Sequence, residues 1–61
     1  MEDRIDMAKE LAEVRETGLT NMMDRRSVAE VLESLGYDYT AEYISEMKSD
    51  YMELLDLSAK Y

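Results

Sequence analysis

The apolar positions of this 61-residue chain recur at intervals of three and four along most of its length. That spacing places side chains on one face of an α-helix, and it holds in three segments divided by Gly18 and Gly36. Because glycine readily adopts the left-handed conformation that ends many helices, each glycine is expected to close the helix before it. The pattern therefore predicts an all-α fold of three helices, forming one domain over residues 1–61.

The three predicted helices differ in length. The first covers about residues 3–16 and is followed by a polar loop over 17–23. The second covers about 24–35, with Asp24 as a good N-cap, and the third covers about 39–58. At 1.5 Å per residue the third would be on the order of 30 Å long, against roughly 18 Å for the second. The expected plan is two short helices and one long helix.

The end of the long predicted helix carries the densest apolar cluster of the chain. A core this small rarely supplies more than ~3–5 kcal/mol, and a sequence without Cys or His has neither disulfides nor a zinc site to supplement it. We therefore expect the core to be completed by homo-oligomerisation. The expected interface residues are Met47, Tyr51, Leu54, Leu55 and Leu57. The alternative is that the first helix of the same chain covers this cluster.

Charge then limits the class of partner. Fifteen Asp and Glu residues against seven Lys and Arg give a net charge of −8. DNA, RNA and anionic lipid are captured by Lys and Arg, so direct binding to nucleic acid or to a membrane surface is disfavoured. No apolar run approaches the ~18 residues of a membrane span, and the N-terminus shows no targeting pattern. We expect a cytoplasmic protein whose partner is another protein or a small ligand.

The residue types that are absent narrow the chemistry. Without Cys or His the chain has no thiol nucleophile and no imidazole base. Carboxylate pairs such as Glu42 with Glu46 share a helix face, but the Asp-rich calcium-loop pattern is missing and a solvated acidic face is the expected role. Three helices of this size make a poor water-excluding pocket. We expect no enzymatic activity, no metal and no cofactor.

One segment differs from the acidic remainder. Residues 15–26 hold three of the four arginines against two carboxylates, Glu16 and Asp24, which gives a local charge of +1. A loop rich in Gly, Thr and Asn at a helix N-terminus presents N–H and hydroxyl donors to an anion, and arginines add forked donors. The candidate ligand-binding residues are Arg15, Thr17, Gly18, Thr20, Asn21, Arg25 and Arg26, with Tyr37 and Tyr39 at the second turn. The same residue types also suit helix caps and local ion pairs, so that alternative stays open.

The loop also carries a recognisable pattern. The run Arg15-x-Thr17-Gly18-x-Thr20-Asn21-Met22-Met23-Asp24 resembles the signature R-x-T-G-x-T-N-M-F-D of a family of short phage and bacterial proteins of unknown function. Met23 stands where the signature has Phe, and the match extends from Ala8 to about Leu55. The resemblance implies a phage or mobile-element context and no established activity.

Two functions follow as expectations. The first is a non-enzymatic, phage-type homo-oligomer that binds and sequesters a small phosphorylated ligand, such as a cyclic nucleotide immune signal, and so evades host defence. The second is an acidic inhibitor or adaptor that mimics nucleic acid and blocks a basic host or mobile-element protein. The partners are further copies of the chain and a nucleotide in the first case and a basic protein in the second. Both would act in the cytoplasm of an infected or host bacterial cell.

Overall fold

The computed structural model describes residues 3–61, so the first two residues of the predicted domain lie outside the described part. Over residues 3–61 the chain forms four α-helices and no strand. They are α1 (Arg4–Thr17), α2 (Arg25–Ser34), α3 (Asp38–Glu46) and α4 (Lys48–Ser58). The all-α class is confirmed. The three-helix plan is not, because two helices replace the long third one.

Short polar side chains and glycines set the ends of the first two helices. Asp3 caps α1 by accepting a hydrogen bond of 2.8 Å from the backbone N–H of Asp6, and Gly18 ends the helix at φ 67°. Gly36, at φ 89°, follows α2, where the N–H of Tyr37 donates to the carbonyl of Leu32 at 2.8 Å. The C-terminal ends of α1 and α2 are those that the glycine positions predicted, because a left-handed residue there closes the last turn.

The predicted helix over 39–58 breaks at Met47, whose φ of −101° and ψ of 69° are not helical. A straight helix of that length, on the order of 30 Å, would project beyond a molecule whose extents are 23 × 22 × 19 Å. Arg25 also donates to the carbonyls of Ile44 and Ser45, at 3.0 and 3.2 Å, which a continuous helix would use for its own next turn. The break therefore folds α4 back and lets Arg25 bind the exposed end of α3.

The helices pack as two main pairs, α1 on α4 and α2 on α3, around one core. The core contains an apolar stripe from every helix: Met7, Leu11, Val14, Val28, Ala29, Leu32, Ala41, Ile44, Tyr51 and Leu54. Every buried side-chain polar atom within residues 3–61 has a hydrogen-bond partner. None of these helices is long and apolar enough to cross a membrane.

This packing corrects part of the expected oligomer interface. Tyr51 and Leu54 are 3% and 0% exposed, so α1 and the rest of the chain's own core cover them and they are not free to meet another copy. Leu55 and Leu57 are partly buried, and Met47 is 47% exposed. The reason is the break at Met47, which turns the apolar face of α4 towards α1. Homo-oligomerisation itself stays a prediction.

Candidate functional site

The polar side chains of the loop over 17–23 bond mainly to the loop's own backbone. The Thr17 hydroxyl donates to the carbonyl of Val14 at 2.6 Å and accepts from the N–H of Leu19 at 3.2 Å. The Asn21 side-chain oxygen accepts from the N–H of Met23 at 2.9 Å. These are cap and turn contacts of the kind that Thr and Asn form locally. The Thr17 hydroxyl is therefore occupied as a donor, and the Asn21 side chain is held against the loop backbone through its oxygen.

The N-terminus of α2, the predicted anion site, already holds an anion. The Asp24 carboxylate accepts from the Ser27 hydroxyl at 2.9 Å and from the Ser27 N–H at 3.3 Å. These hydrogen bonds, the hydroxyl first, hold the pKa of Asp24 below its ordinary value. A second negative group would compete with this carboxylate for the same N–H groups and the same helix dipole.

Two of the three arginines that flank the loop bind the ends of other helices. The Arg15 guanidinium donates to the carbonyl of Ser58 at 3.0 Å and to its hydroxyl at 3.4 Å, at the end of α4. Arg25 makes the corresponding contact at the end of α3. Cations at helix C-termini satisfy carbonyls that have no partner within the helix and interact favourably with the helix dipole. The structure thus places Arg15 and Arg25 at two different helix ends rather than around one ligand.

Arg26 and Thr20 are the candidates without such contacts. Arg26 is exposed, and its guanidinium makes no hydrogen bond or ion pair within residues 3–61. Thr20 is partly buried and its side chain has no hydrogen bond within the same residues. Gly18 contributes the left-handed φ of 67° and its N–H donates to the carbonyl of Arg15 at 3.2 Å. Of the three arginines that flank the loop, Arg26 alone has a guanidinium without a hydrogen bond or ion pair within residues 3–61.

The two tyrosines of the second turn lie apart from this loop. The Tyr37 hydroxyl donates to a Glu13 carboxylate oxygen at 2.5 Å, and Tyr37 packs partly buried against the core. Tyr39 is 44% exposed and stacks on Tyr43, with ring centroids 6.4 Å apart. The surface depressions that Tyr37 and Tyr39 line contain no residue of 17–24. The nine predicted ligand residues therefore do not converge on one site.

A different surface feature, a depression between α2 and α3, brings several charged residues together. Its first part, about 520 Å³, is lined by Arg25, Arg26, Ala29, Glu30 and Glu33 of α2 and by Ser45 of α3. Its second part, about 370 Å³, is lined by Glu33, Asp38, Ala41, Glu42, Ser45 and Glu46. Because Glu33 and Ser45 line both parts, we treat them as one surface, the acidic groove.

Sequence reasoning missed the acidic groove although its spacing was visible. Glu30 and Glu33 lie three residues apart on α2, and Asp38, Glu42 and Glu46 lie four apart on α3. The missing information was the pairing of the helices. Arg25 at the start of α2 reaches the end of α3, so the two helices run antiparallel and bring their carboxylates to the same groove.

A second polar cluster joins three helices and is structural. The Arg4 guanidinium donates to the Asp50 carboxylate at 2.8 Å, and the Tyr43 hydroxyl donates to the same oxygen. The Tyr43 hydrogen bond, followed by that of Arg4, holds the pKa of Asp50 below its ordinary value, and the bond to Asp50 raises the pKa of Tyr43. This cluster fixes α3 and α4 on either side of Met47 against the start of α1.

Within residues 3–61 no group of three Asp, Glu, His or Cys side chains is arranged to hold a metal ion. Of the carboxylates on the predicted third helix, Glu42 and Glu46 stay together on α3, whereas Asp50 lies beyond the break on α4.

The comparisons with known proteins give a family and no function. A family model described as Domain of unknown function (DUF5049) matches residues 1–55. No curated protein and no solved structure matches the chain. The match includes the polar loop and the first three helices, and it reaches into α4. The chain belongs to the DUF5049 family, a family of uncharacterised proteins.

Proposed function

We propose that this chain is a non-enzymatic protein-binding module that presents its carboxylates to a basic partner, as an inhibitor or adaptor that competes with nucleic acid for that partner. One observation carries the proposal. The ion pairs of Arg4 are with Asp50 and Glu53, whereas the carboxylates of α2 and α3 are all exposed and have no ion pair within residues 3–61. In a chain of net charge −8, that leaves most of the negative charge facing solvent.

Such a surface favours a basic protein on electrostatic grounds. Complementary charge accelerates encounter and fixes orientation, and its effect weakens as salt shortens the range of the field. Nucleic acid carries the same sign of charge as this surface, so a partner that binds both through one basic site would bind them in competition. The sequence resemblance implies a phage or mobile-element setting, where a basic nuclease or regulator is the kind of partner this charge would fit.

The proposal requires no catalysis. The Tyr51 hydroxyl donates to the carbonyl of Met22 at 2.5 Å, and the Tyr43 hydroxyl donates to Asp50. Burial raises the pKa of Tyr51, and the bond to Asp50 raises that of Tyr43. A raised pKa keeps a phenol protonated, which is the opposite of what a nucleophile needs. Both hydroxyls serve packing contacts between helices and the loop.

Sequestration of a phosphorylated ligand is a second candidate, and one specific observation favours it. The Arg26 guanidinium has no hydrogen bond or ion pair within residues 3–61 and lines the first part of the acidic groove next to Arg25. The unoccupied guanidinium of Arg26 provides forked donors for a phosphate. We rank this function lower because Arg15, Thr17 and Asn21, on which it was expected to depend, are engaged in contacts within the chain.

A displacement assay tests the first proposal against the second. Labelled duplex DNA is bound to each of a panel of basic bacterial nucleic-acid-binding proteins, and the wild-type chain is added at low and high salt. We expect displacement from a matching partner, weaker by about tenfold or more at high salt. Calorimetric titration with linear and cyclic nucleotides is run in parallel.

The arginine variant R26A separates the outcomes. It should leave DNA displacement intact, because Arg26 contributes no negative charge, and it should abolish any nucleotide binding. Nucleotide binding that R26A removes, without displacement by the wild type from any member of the panel, would contradict the first proposal and support the second. The absence of both DNA displacement and nucleotide binding would contradict both candidate functions.

A further inference from the structure

We infer that the element this chain binds is a basic α-helix of another protein, seated in the acidic groove between α2 and α3. The inference rests on the proposed function and goes further, because it assigns one face of the molecule and one kind of partner element.

The groove has small residues at its base and carboxylates on both sides, and Arg25 and Arg26 line one end of it. Ala29 and Ala41, 6% and 3% exposed, lie in it on opposite helices. The Ser45 hydroxyl also lies there and donates to the carbonyl of Ala41 at 2.9 Å, so it needs no partner from a ligand. A base of small residues permits close approach of another helix, as in the binding of amphipathic helices in grooves.

The carboxylates match the periodicity of a helix. Asp38, Glu42 and Glu46 are four residues apart, which is about 6 Å per step along α3. Lys or Arg at every fourth position of a docked helix would have the same step. On the opposite wall, Glu30 and Glu33 of α2 supply carboxylates beyond the end that Arg25 and Arg26 line. Over that part of the groove the fitting partner has cations on both flanks of a small or apolar stripe. An extended strand cannot present this, because its successive side chains point to opposite faces.

A second copy of this chain does not fit the groove. No helix within residues 3–61 carries Lys or Arg at i, i+4 spacing, as the positions of Arg4, Lys9, Arg15, Arg25, Arg26 and Lys48 show. Two copies, each of net charge −8, also repel one another. The cation spacing and the net charge of this chain therefore favour a helix from a different, basic protein as the occupant of the groove.

Two labelled helical peptides of about 15 residues, a length that covers α2 and α3, test the inference by fluorescence anisotropy. The first has lysines at four-residue intervals on both flanks of an Ala-rich stripe, and the second has the same composition with the lysines shuffled out of register. We expect the wild-type chain to bind the first peptide about tenfold more tightly than the second, because only the first matches both walls.

Matched charge reversals locate the binding. The groove variant E33K/E42K is compared with E16K/D56K, which lies outside the groove and makes the same change in net charge, from −8 to −4. All four side chains are exposed and make no hydrogen bond or ion pair within residues 3–61, so both variants should fold, which circular dichroism checks. The groove variant should lose the preference for the patterned peptide, and the control should keep it.

The other outcomes separate the inference from the proposed function. Equal binding of the two peptides, or equal weakening by both variants, overturns the groove and leaves a diffuse acidic surface as the binding feature. DNA displacement in the earlier assay, together with no binding of either peptide, also overturns the helical partner and retains the proposed function. No displacement and no peptide binding contradict both.

Discussion

At the scale of single residues, Tyr51 links the core to the loop. Its ring is 3% exposed among the core side chains, while its hydroxyl binds the carbonyl of Met22 in the loop at 2.5 Å. The sequence suggested an interface role because Tyr51 belongs to the apolar cluster at the end of the predicted third helix. A loop carbonyl 29 residues away supplies the partner instead, and spacing along one helix carries no information about that contact.

Leu54 gives a direct test of where the apolar face of α4 lies. Because Leu54 is 0% exposed, L54A should cost about 2–5 kcal/mol, close to the full stability of so small a domain. The control L19A removes a side chain that is 75% exposed and should change stability by no more than about 0.5 kcal/mol. Urea unfolding followed by circular dichroism measures both. A small loss for L54A would contradict its place in the core.

Asp50 should make stability depend on pH. Its pKa is lowered in the folded chain, so its ionised form stabilises the fold above its unfolded pKa of about 3.9. That contribution is lost as the pH falls through the lower folded pKa. The variant D50N should therefore have a lower Tm than the wild type near pH 7, with the difference shrinking below about pH 4. Thermal unfolding between pH 7 and 3 measures it, and a constant difference would contradict the Tyr43 and Arg4 contacts.

At the scale of elements, helix ends explain both what the sequence predicts and what it misses. Asp24, Gly18 and Gly36 are local signals, and the structure has helix ends beside each of them. The break at Met47 has no such signal, since Met47 is neither Gly nor Pro and the apolar spacing continues across it. The Arg25 contact that accompanies the break spans about 20 residues, beyond the range of any local pattern.

The candidate site shows the same division between local and distant information. Residue types identified a donor-rich loop, and those donors are present. Whether Thr17 and Asn21 point to a ligand or to their own backbone depends on loop conformation, which residue type does not determine. The acidic groove needs the antiparallel pairing of α2 and α3, which spacing on each separate helix cannot reveal.

Two adjacent arginines test the helix-end assignment. Arg25 donates to two carbonyls at the end of α3, whereas Arg26 makes no such bond within residues 3–61. R25A should therefore lower the free energy of unfolding by about 1–2 kcal/mol, the value of a partly exposed charged hydrogen bond. R26A should change it by less than about 0.5 kcal/mol. Urea unfolding of the two variants checks this, and equal losses would contradict it.

At the scale of the whole molecule, the four helices of residues 3–61 pack around one core. The radius of gyration of 9.8 Å is slightly below the roughly 10 Å expected of a single compact chain of this length. The expectation of an oligomer was based partly on an uncovered face of the third helix, and α1 covers much of that face. The remaining apolar exposure includes Met47 at 47% and Met52 at 52%.

Sedimentation equilibrium tests self-association. Association through the remaining predicted residues would give a mass that is a multiple of 7.1 kDa, and it should strengthen with salt, because salt screens the repulsion between acidic copies. The variant M47S/L57S should then return the mass to that of one chain. A mass of 7.1 kDa for the wild type at every concentration and salt level would contradict the predicted oligomer.

The central claim is that the acidic groove, and not the polar loop, meets a partner. An amide NMR spectrum of the labelled wild-type chain, recorded while the patterned basic peptide is added, tests it most directly. We predict that the largest shifts fall on α2 and α3, at groove residues such as Ala29, Glu33 and Glu42. Shifts centred on residues 17–24, shifts spread evenly over all four helices, or no shifts at all would contradict it.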